Sequence, residues 1–384
     1  MLNREAVLEI IEHYGRNTPL SRDYIGELCR LFQQYYGFRY VLPVDSGTAA
    51  LHTALAAAGI GSGDTVLLPV NVCASVPMAV LSVRALPVLV DTDASLNMDA
   101  EALESMLDAH PRTRAVIVVH QHGIPANMER LTRIVRAKKT DVCVIEDCAQ
   151  AHSTTIRGKP VGRYGDMAVF SFNKGKILSA GSGGLLATAN EEWYERAFRF
   201  AQLGARQTPY HETFGYNYQM SELQACIIAG QLRNIAELSG LRRRNAGLYR
   251  EQLDSDAVRP VLPLVEGESS WHRFVVHLSV TPEAYRQLAD ELRRQGLPFQ
   301  EAHPCPLYRA KFLQDYYRAN RLSQLADESG SAFPNFAEVG RNLMFLYTHA
   351  QMTEDCIRRI CALLNKSIRA HEVAGRDFRC RETN

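Results

Sequence analysis

The segment Ser171-Phe172-Asn173-Lys174-Gly175-Lys176 places two lysines just beyond an apolar, β-branched run. A lysine moved from water into a ligand pocket loses the solvation of its charge. Its pKa falls, and the free amine becomes a nucleophile and a base. A second segment, Val144-Ile145-Glu146-Asp147, ends another apolar run with two carboxylates. An acid at the carboxyl end of a parallel strand sits where open α/β sheets bind their ligands. Its competing use is as the N-cap of a helix over Cys148–His152. Asp45-Ser46-Gly47-Thr48 leads straight into the helical pattern that follows it. The unbonded amides and the hydroxyl of a helix start make a ready anion site. Finally, Gly181, Gly183 and Gly184 form a turn where backbone can pass close to a bound group.

A lysine amine, a carboxylate and an anion cradle are together what pyridoxal phosphate (PLP) requires. It needs a lysine for its Schiff base, an acid against the pyridinium nitrogen, and a holder for its phosphate. A carboxylate there keeps the ring nitrogen protonated, which makes the ring an electron sink. Each piece alone has an ordinary reading, as a surface lysine, a cap or a flexible loop, and the residues themselves do not separate Lys174 from Lys176. Other chemistries lack their signatures. No GxxxxGK[ST] phosphate loop occurs, and the glycines of residues 59–63 follow a helix and precede a strand, the reverse of a dinucleotide fingerprint. Ala180 stands where a nucleophile elbow needs its first glycine. His120 and His122 have no third partner at ligand spacing, so they read as hydrogen-bonding groups and no metal site is expected.

The elements that must position these groups alternate. Strands are expected over Val66–Leu68, Val88–Asp91, Ala115–His120, Val142–Asp147, Met167–Phe172 and Gly184–Thr188, with helices over Thr48–Ala58, Asp99–Leu107 and Met128–Ala137 between them. That alternation predicts an α/β fold with a mainly parallel sheet covered on both faces. After about Asn190 the pattern turns helical, over Glu192–Leu203 and Ser221–Leu253. Arg242, Arg243 and Arg244 read there as a solvated helix face. Trp271–Val280 and the stretch around Leu297–Ala302 read as strands of a smaller α/β unit, and the polar tail from His371 to Asn384 as frayed.

Composition agrees with a folded soluble protein. The 384 residues carry 43 Lys+Arg against 42 Asp+Glu, a formal net charge of +1, which gives no general attraction to nucleic acid or to a membrane surface. Nine cysteines without framework spacing read as reduced thiols, and the charged N-terminus shows no signal peptide, so a cytoplasmic location is expected.

At these residues the sequence resembles the DegT/StrS family of PLP-dependent sugar aminotransferases, of the aspartate aminotransferase fold group. Gly47-Thr48-Ala49-Ala50-Leu51 is similar to the family's phosphate-binding turn, and Gly63-Asp64-Thr65-Val66 to its GDEV strand. The run from Val144 to His152, VIEDCAQAH, resembles the aspartate motif, and the run beginning Gly215-Tyr216-Asn217-Tyr218-Gln219-Met220 resembles GYNYRM. The resemblance implies PLP fold type I, with a large PLP-binding domain at 1–236 and a small C-terminal α/β domain at 237–384. Family spacing puts the Schiff-base lysine five residues after the serine and five before the first turn glycine, which selects Lys176. By the same carry-over Asp147 meets the pyridinium nitrogen, and Gln150 lies near the ring hydroxyl. Gly47, Thr48 and Ser171 hold the phosphate. Asn217 reaches a neighbouring subunit's phosphate, which implies a homodimer with shared sites, and His303 lies near the substrate.

Three departures stand out. Cys73 occupies the position of the family's ring-stacking aromatic, Ser182 replaces a carboxylate common after the first turn glycine, and Gln219 replaces the arginine of GYNYRM. The implied activity is transfer of an amino group from an amino acid, L-glutamate by resemblance, to a keto-sugar, nucleotide-linked by resemblance. The alternatives are a non-nucleotide keto-cyclitol acceptor, a sugar elimination, or a PLP-bound sensor without turnover.

Overall fold

A computed structural model describes residues 4–16, 20–205, 210–254, 258–301, 306–340 and 342–381. Its central sheet has seven strands: β1 (Tyr40–Val44), β2 (Thr65–Pro69), β3 (Leu86–Val90), β4 (Thr113–Val119), β5 (Cys143–Asp147), β6 (Met167–Ser171) and β7 (Gly184–Thr188). Their spatial order is β1-β7-β6-β5-β4-β2-β3. Six strands run the same way, and β7 runs against both of its neighbours. The fold is thus α/β with a mainly parallel sheet, and the six expected strands stand within two residues of their expected ends. The three expected helices between them form as Gly47–Ala57, Ala100–Ala109 and Met128–Lys138.

Apolar residues crowd both faces because the sheet is buried on both. Side chains alternate along a strand, so β4 sends Val116 and Val118 into one core and Ala115, Ile117 and Val119 into the other. The first core takes Leu28 and Phe32 from helix Tyr24–Tyr36 and Ile228 from helix Glu222–Leu232. The second takes Leu51, Ala54 and Leu55 from helix Gly47–Ala57. A third core lies against a separate antiparallel sheet of four strands, Val258–Pro260, Phe274–Leu278, Leu343–Leu346 and Phe299–Glu301 in spatial order. Tyr249 of helix Ile235–Gln252, Leu288 and Leu292 of helix Pro282–Arg294, and Ile357 and Leu364 of helix Glu354–Arg381 fill it.

Three expectations need correction. The helical pattern over Ser221–Leu253 is two helices, Glu222–Leu232 and Ile235–Gln252. At the break the Asn234 side chain donates to the Gly230 carbonyl at 3.0 Å, in competition with the backbone ladder. The final helix extends to Arg381, through most of the tail expected to fray. The arginine run is not uniformly solvated. Arg243 and Arg244 pair at the surface with Glu268 and Glu354, whereas Arg242 is buried. No helix among the described residues is long and apolar enough to cross a membrane.

Candidate active site

A cavity of about 280 Å³ opens where β5 and β6 end and helix Gly47–Ala57 begins. Gly47, Thr48, Cys73, Asp147, Gln150, Ser171 and Lys176 all line it. Residues separated by more than a hundred positions in the chain therefore meet at the carboxyl edge of a parallel sheet, the expected place for a ligand. A second cavity, about 350 Å³, is lined by Arg22, Glu27, Cys226 and Arg233 and contains none of the candidate residues. Its two sides are tied by the Arg233–Glu27 ion pair.

The floor is built around a helix start. Ser46 takes an extended conformation (φ −158°, ψ 158°), and its hydroxyl accepts from the Ala49 amide at 3.1 Å, which caps the helix. The capping leaves the amides of Gly47 and Thr48 in the first turn, without intrahelical acceptors. Gly47 has no room for a side chain, since a Cβ would stand 2.7 Å from Ser171 Cβ and 3.0 Å from Ser171 Oγ. Gly184 is as constrained, because a Cβ there would stand 2.1 Å from the Ser46 carbonyl oxygen. The turn glycines thus let β7 lie directly against the helix start, and Ser171 closes the third side.

Glu146 and Asp147 are adjacent and both buried, yet they do different work. Glu146 accepts from the amides of Gly162 (2.7 Å), Tyr164 (2.6 Å) and Gly165 (2.5 Å) and from His120 Nε2 (3.2 Å), so it anchors a loop. His120 Nδ1 accepts from the Ala126 amide at 3.1 Å. His120, Glu146 and Cys148 cluster at ligand distance, but the histidine and the carboxylate are already engaged by these hydrogen bonds. Asp147 points the other way, into the cavity, with one oxygen accepting from the Ala149 amide at 2.9 Å. Residues 148–152 form turns and not a helix, so the helix-cap reading of Asp147 falls away. Burial pushes the Asp147 carboxyl up from its ordinary value, against the pull of the Ala149 amide and the charges of Lys176 and His120. A cation-like N–H placed beside it would be strongly favoured.

Lys174 is exposed, and Lys176 is the partly buried lysine on the cavity wall. Burial lowers the Lys176 pKa, Asp147 and Cys73 oppose the shift, and Arg273 adds to it. Gln150 accepts from the His122 amide at 2.9 Å through its side-chain oxygen. Cys73 is exposed on the wall, and the Ser182 hydroxyl donates to the Asp45 carbonyl at 2.7 Å. Asn173, Ser75 and Val76 also line the cavity and were not singled out in the sequence, where only Asn173 falls inside a recognised motif.

Asn217 does not join this cavity. Tyr216 and Tyr218 stack on each other (5.1 Å, 5°) and against His52, whose Nδ1 lies 3.0 Å from the Tyr218 hydroxyl. In an extended segment the residue between two inward-facing side chains faces away, and Asn217 is exposed. His303 lies outside the described residues.

The residues suit PLP. Asp147 supplies a buried acid, Lys176 an amine poised toward its free form, and Gly47 and Ser171 a close-fitting cradle at a helix start, in a cavity of small-molecule size.

Residues 3–365 match the DegT/DnrJ/EryC1/StrS aminotransferase family. The chain is 32% identical over 325 residues to the UDP-N-acetyl-3-dehydro-alpha-D-glucosamine 3-aminotransferase of Acidithiobacillus ferrooxidans, covering 84% of this chain and 83% of that one. It is 35% identical over 275 residues to the L-glutamine:2-deoxy-scyllo-inosose aminotransferase of Micromonospora echinospora, covering 67% and 64%. Its structure resembles that of S. venezuelae DesV with a TM-score of 0.85 and 26% identity, over 95% of this chain and 94% of the other.

Proposed function

The chain belongs to the DegT/DnrJ/EryC1/StrS aminotransferase family, and from that membership we propose that it moves an amino group from L-glutamate to a nucleotide-linked keto-sugar, with PLP held at Lys176. The observation that carries the reading is the meeting of Lys176 and Asp147 in one cavity above the Gly47–Ala57 helix start. Bound PLP supplies the electron sink that makes the donor's α-proton removable.

The chain's own residues do the rest. Gly47, Thr48 and Ser171 would hold the phosphate, the first two through first-turn amides. Asp147 would keep a proton on the ring nitrogen, and Gln150 would serve the ring hydroxyl. Lys176 would anchor the cofactor, and its free amine would accept and return the proton at the donor's α-carbon. A lysine with its pKa lowered by burial suits both tasks, because it accepts and returns a proton nearer neutrality. Asn217, turned away from its own cavity, serves the site of a second copy in a homodimer. We place the division between the PLP-binding domain, 1–236, and the small domain, 237–384, at the break before helix Ile235–Gln252; the residues after it supply most of the third core, while Leu307, Tyr308, Leu313 and Tyr317 pack back into the second.

A keto-cyclitol acceptor is the second reading. It is supported by the likeness to the 2-deoxy-scyllo-inosose aminotransferase and by Cys73, which leaves the cavity wall smaller than an aromatic would. Sugar elimination and a silent sensor gain no support from a site that keeps its proton-carrying lysine. The test is the visible spectrum of the purified protein before and after L-glutamate. A yellow band that bleaches supports the reading. A band indifferent to glutamate moves the donor elsewhere, with L-glutamine next in line. A colourless protein that PLP cannot load sinks it.

A further inference from the structure

The helix start that forms the phosphate cradle is tied to the segment that carries Asn217, and Tyr218 makes the tie twice. Its carbonyl accepts from the Asp45 amide at 2.9 Å, one residue before the Ser46 cap. Its hydroxyl lies 3.0 Å from Nδ1 of His52. His52 follows Thr48 by four residues in helix Gly47–Ala57, so the two share a helix face, one turn apart. Beside this contact Val44 and Gln219 form an antiparallel bridge, and Gln202 and Asn217 form another.

The side-chain bond is enclosed. His52 is buried, and its ring meets Phe200 edge-on at 5.0 Å and Tyr216 at 5.1 Å. Burial lowers the His52 pKa from its ordinary value. A neutral ring is thereby favoured, with Nδ1 able to accept the Tyr218 proton. Tyr216 lies flat on Tyr218, so one hydroxyl bond fixes the slant of both rings. Neither Tyr218 nor His52 lines the Lys176 cavity of its own copy. What the bond does fix is the residue between the two rings, Asn217, which is exposed. A side chain that must meet a ligand outside its own subunit is aimed only by its backbone and by the groups that lock its neighbours.

We propose that Tyr218 is a positioning residue that acts in trans: its bond to His52 ties the phosphate-cradle helix of one copy to the Asn217 which that copy presents to the cofactor phosphate of the other. The assignment rests on the reading of Asn217 as a residue shared between two copies. It gives helix Gly47–Ala57 two tasks, holding the phosphate of its own site and setting the register of the group sent to the second.

The test follows the visible band that PLP forms with Lys176, titrated with PLP against the apoprotein. Tyr218→Phe keeps the stacked ring and loses the hydroxyl. With the fraction of correctly aimed Asn217 cut to about a tenth, apparent affinity for PLP falls about tenfold, while the apoprotein melts with the wild type. Two hybrids then show which copy feels the loss, each co-expressed under two affinity tags and purified on both. In the first, one copy carries Tyr218→Phe and the other Lys176→Ala. The only lysine that forms the band then sits on the Tyr218→Phe copy, its Asn217 comes from a copy with Tyr218 intact, and affinity returns to the wild-type value. In the second, one copy carries both substitutions and the other neither. The working lysine now receives Asn217 from the altered copy, and affinity stays about tenfold weak. A hydroxyl that merely steadies its own copy gives the opposite pattern in both hybrids, which overturns the proposal. Wild-type affinity in Tyr218→Phe overturns it too, as does the absence of any doubly tagged species. Should Tyr218→Phe melt early, His52→Leu breaks the same bond from the other side and replaces it in every sample. The titration reads cofactor capture and not turnover. The expected pattern in a protein that transaminates nothing would sink the functional reading alone, and a wild type that captures no PLP would sink both.

Discussion

Lys176 and Lys174 are two residues apart and share a motif, and only their surroundings distinguish them. Burial favours the neutral form of Lys176, so its free amine accumulates as pH rises through a value below the ordinary 10.5. Capture of PLP by the apoprotein therefore speeds up with pH, with a midpoint below 10.5, and Lys176→Ala abolishes it while Lys174→Ala does not. Stopped-flow absorbance across a pH series measures both effects. A midpoint at the ordinary lysine value, or capture surviving Lys176→Ala, would remove the burial argument. The carboxylate pair teaches the same lesson. The sequence made Glu146 and Asp147 equally acidic and equally terminal, and the loop of residues 162–165 decides between them by occupying Glu146 with three amides. Nothing local to Glu146 announces that loop. Arg242 departs from expectation for a related reason: three consecutive residues fan out around a helix, and the packing of the third core, not the run itself, decides that this one lies inside.

At the scale of elements, the meeting of β7 with the start of helix Gly47–Ala57 depends on a missing side chain. Gly184→Ala puts a Cβ 2.1 Å from the Ser46 carbonyl, a contact with backbone that cannot swing aside. The variant should lose about 3 kcal/mol of stability and bind PLP more weakly, seen in thermal melts with and without the cofactor. A melt matching the wild type would show that the two elements have room to separate. The strands that carry the site were legible because parallel strands buried on both faces read as unbroken apolar runs. β1 was not. Its sequence, Tyr40-Val41-Leu42-Pro43-Val44, contains a proline that argues against a central strand. The structure resolves the conflict by placing β1 at the sheet edge, and the opposite edge strand, β3, carries Pro87. The break at Arg233–Asn234 was invisible because neither residue is a glycine or proline, and only a side-chain bond to the preceding turn marks it.

At the scale of the whole molecule, the stacked pair Tyr216 and Tyr218 turns Asn217 outward and leaves the cavity without it. If a second copy supplies that residue, Lys176→Ala and Asn217→Ala should each be inactive. Mixed after denaturation and refolded together, they recover about a quarter of wild-type activity, as expected for hybrid dimers with one intact site in two. Recovery below the limit of detection from two parents that each dimerise would place Asn217 elsewhere. The motif around Asn217 was readable in the chain, but its direction was not, since that is set by rings packing on His52 from a distant helix.

The pairing of β1 with β7 has a consequence in time. It joins Tyr40 to Thr188, about 150 residues away along the chain, whereas β6 and β7 form a local hairpin across the Lys176 loop. Loop-closure entropy delays the distant partnership, so the lysine arm is structured early and the phosphate cradle is completed last. During refolding, competence to retain the cofactor should emerge with the slowest phase, after most of the secondary structure has already returned.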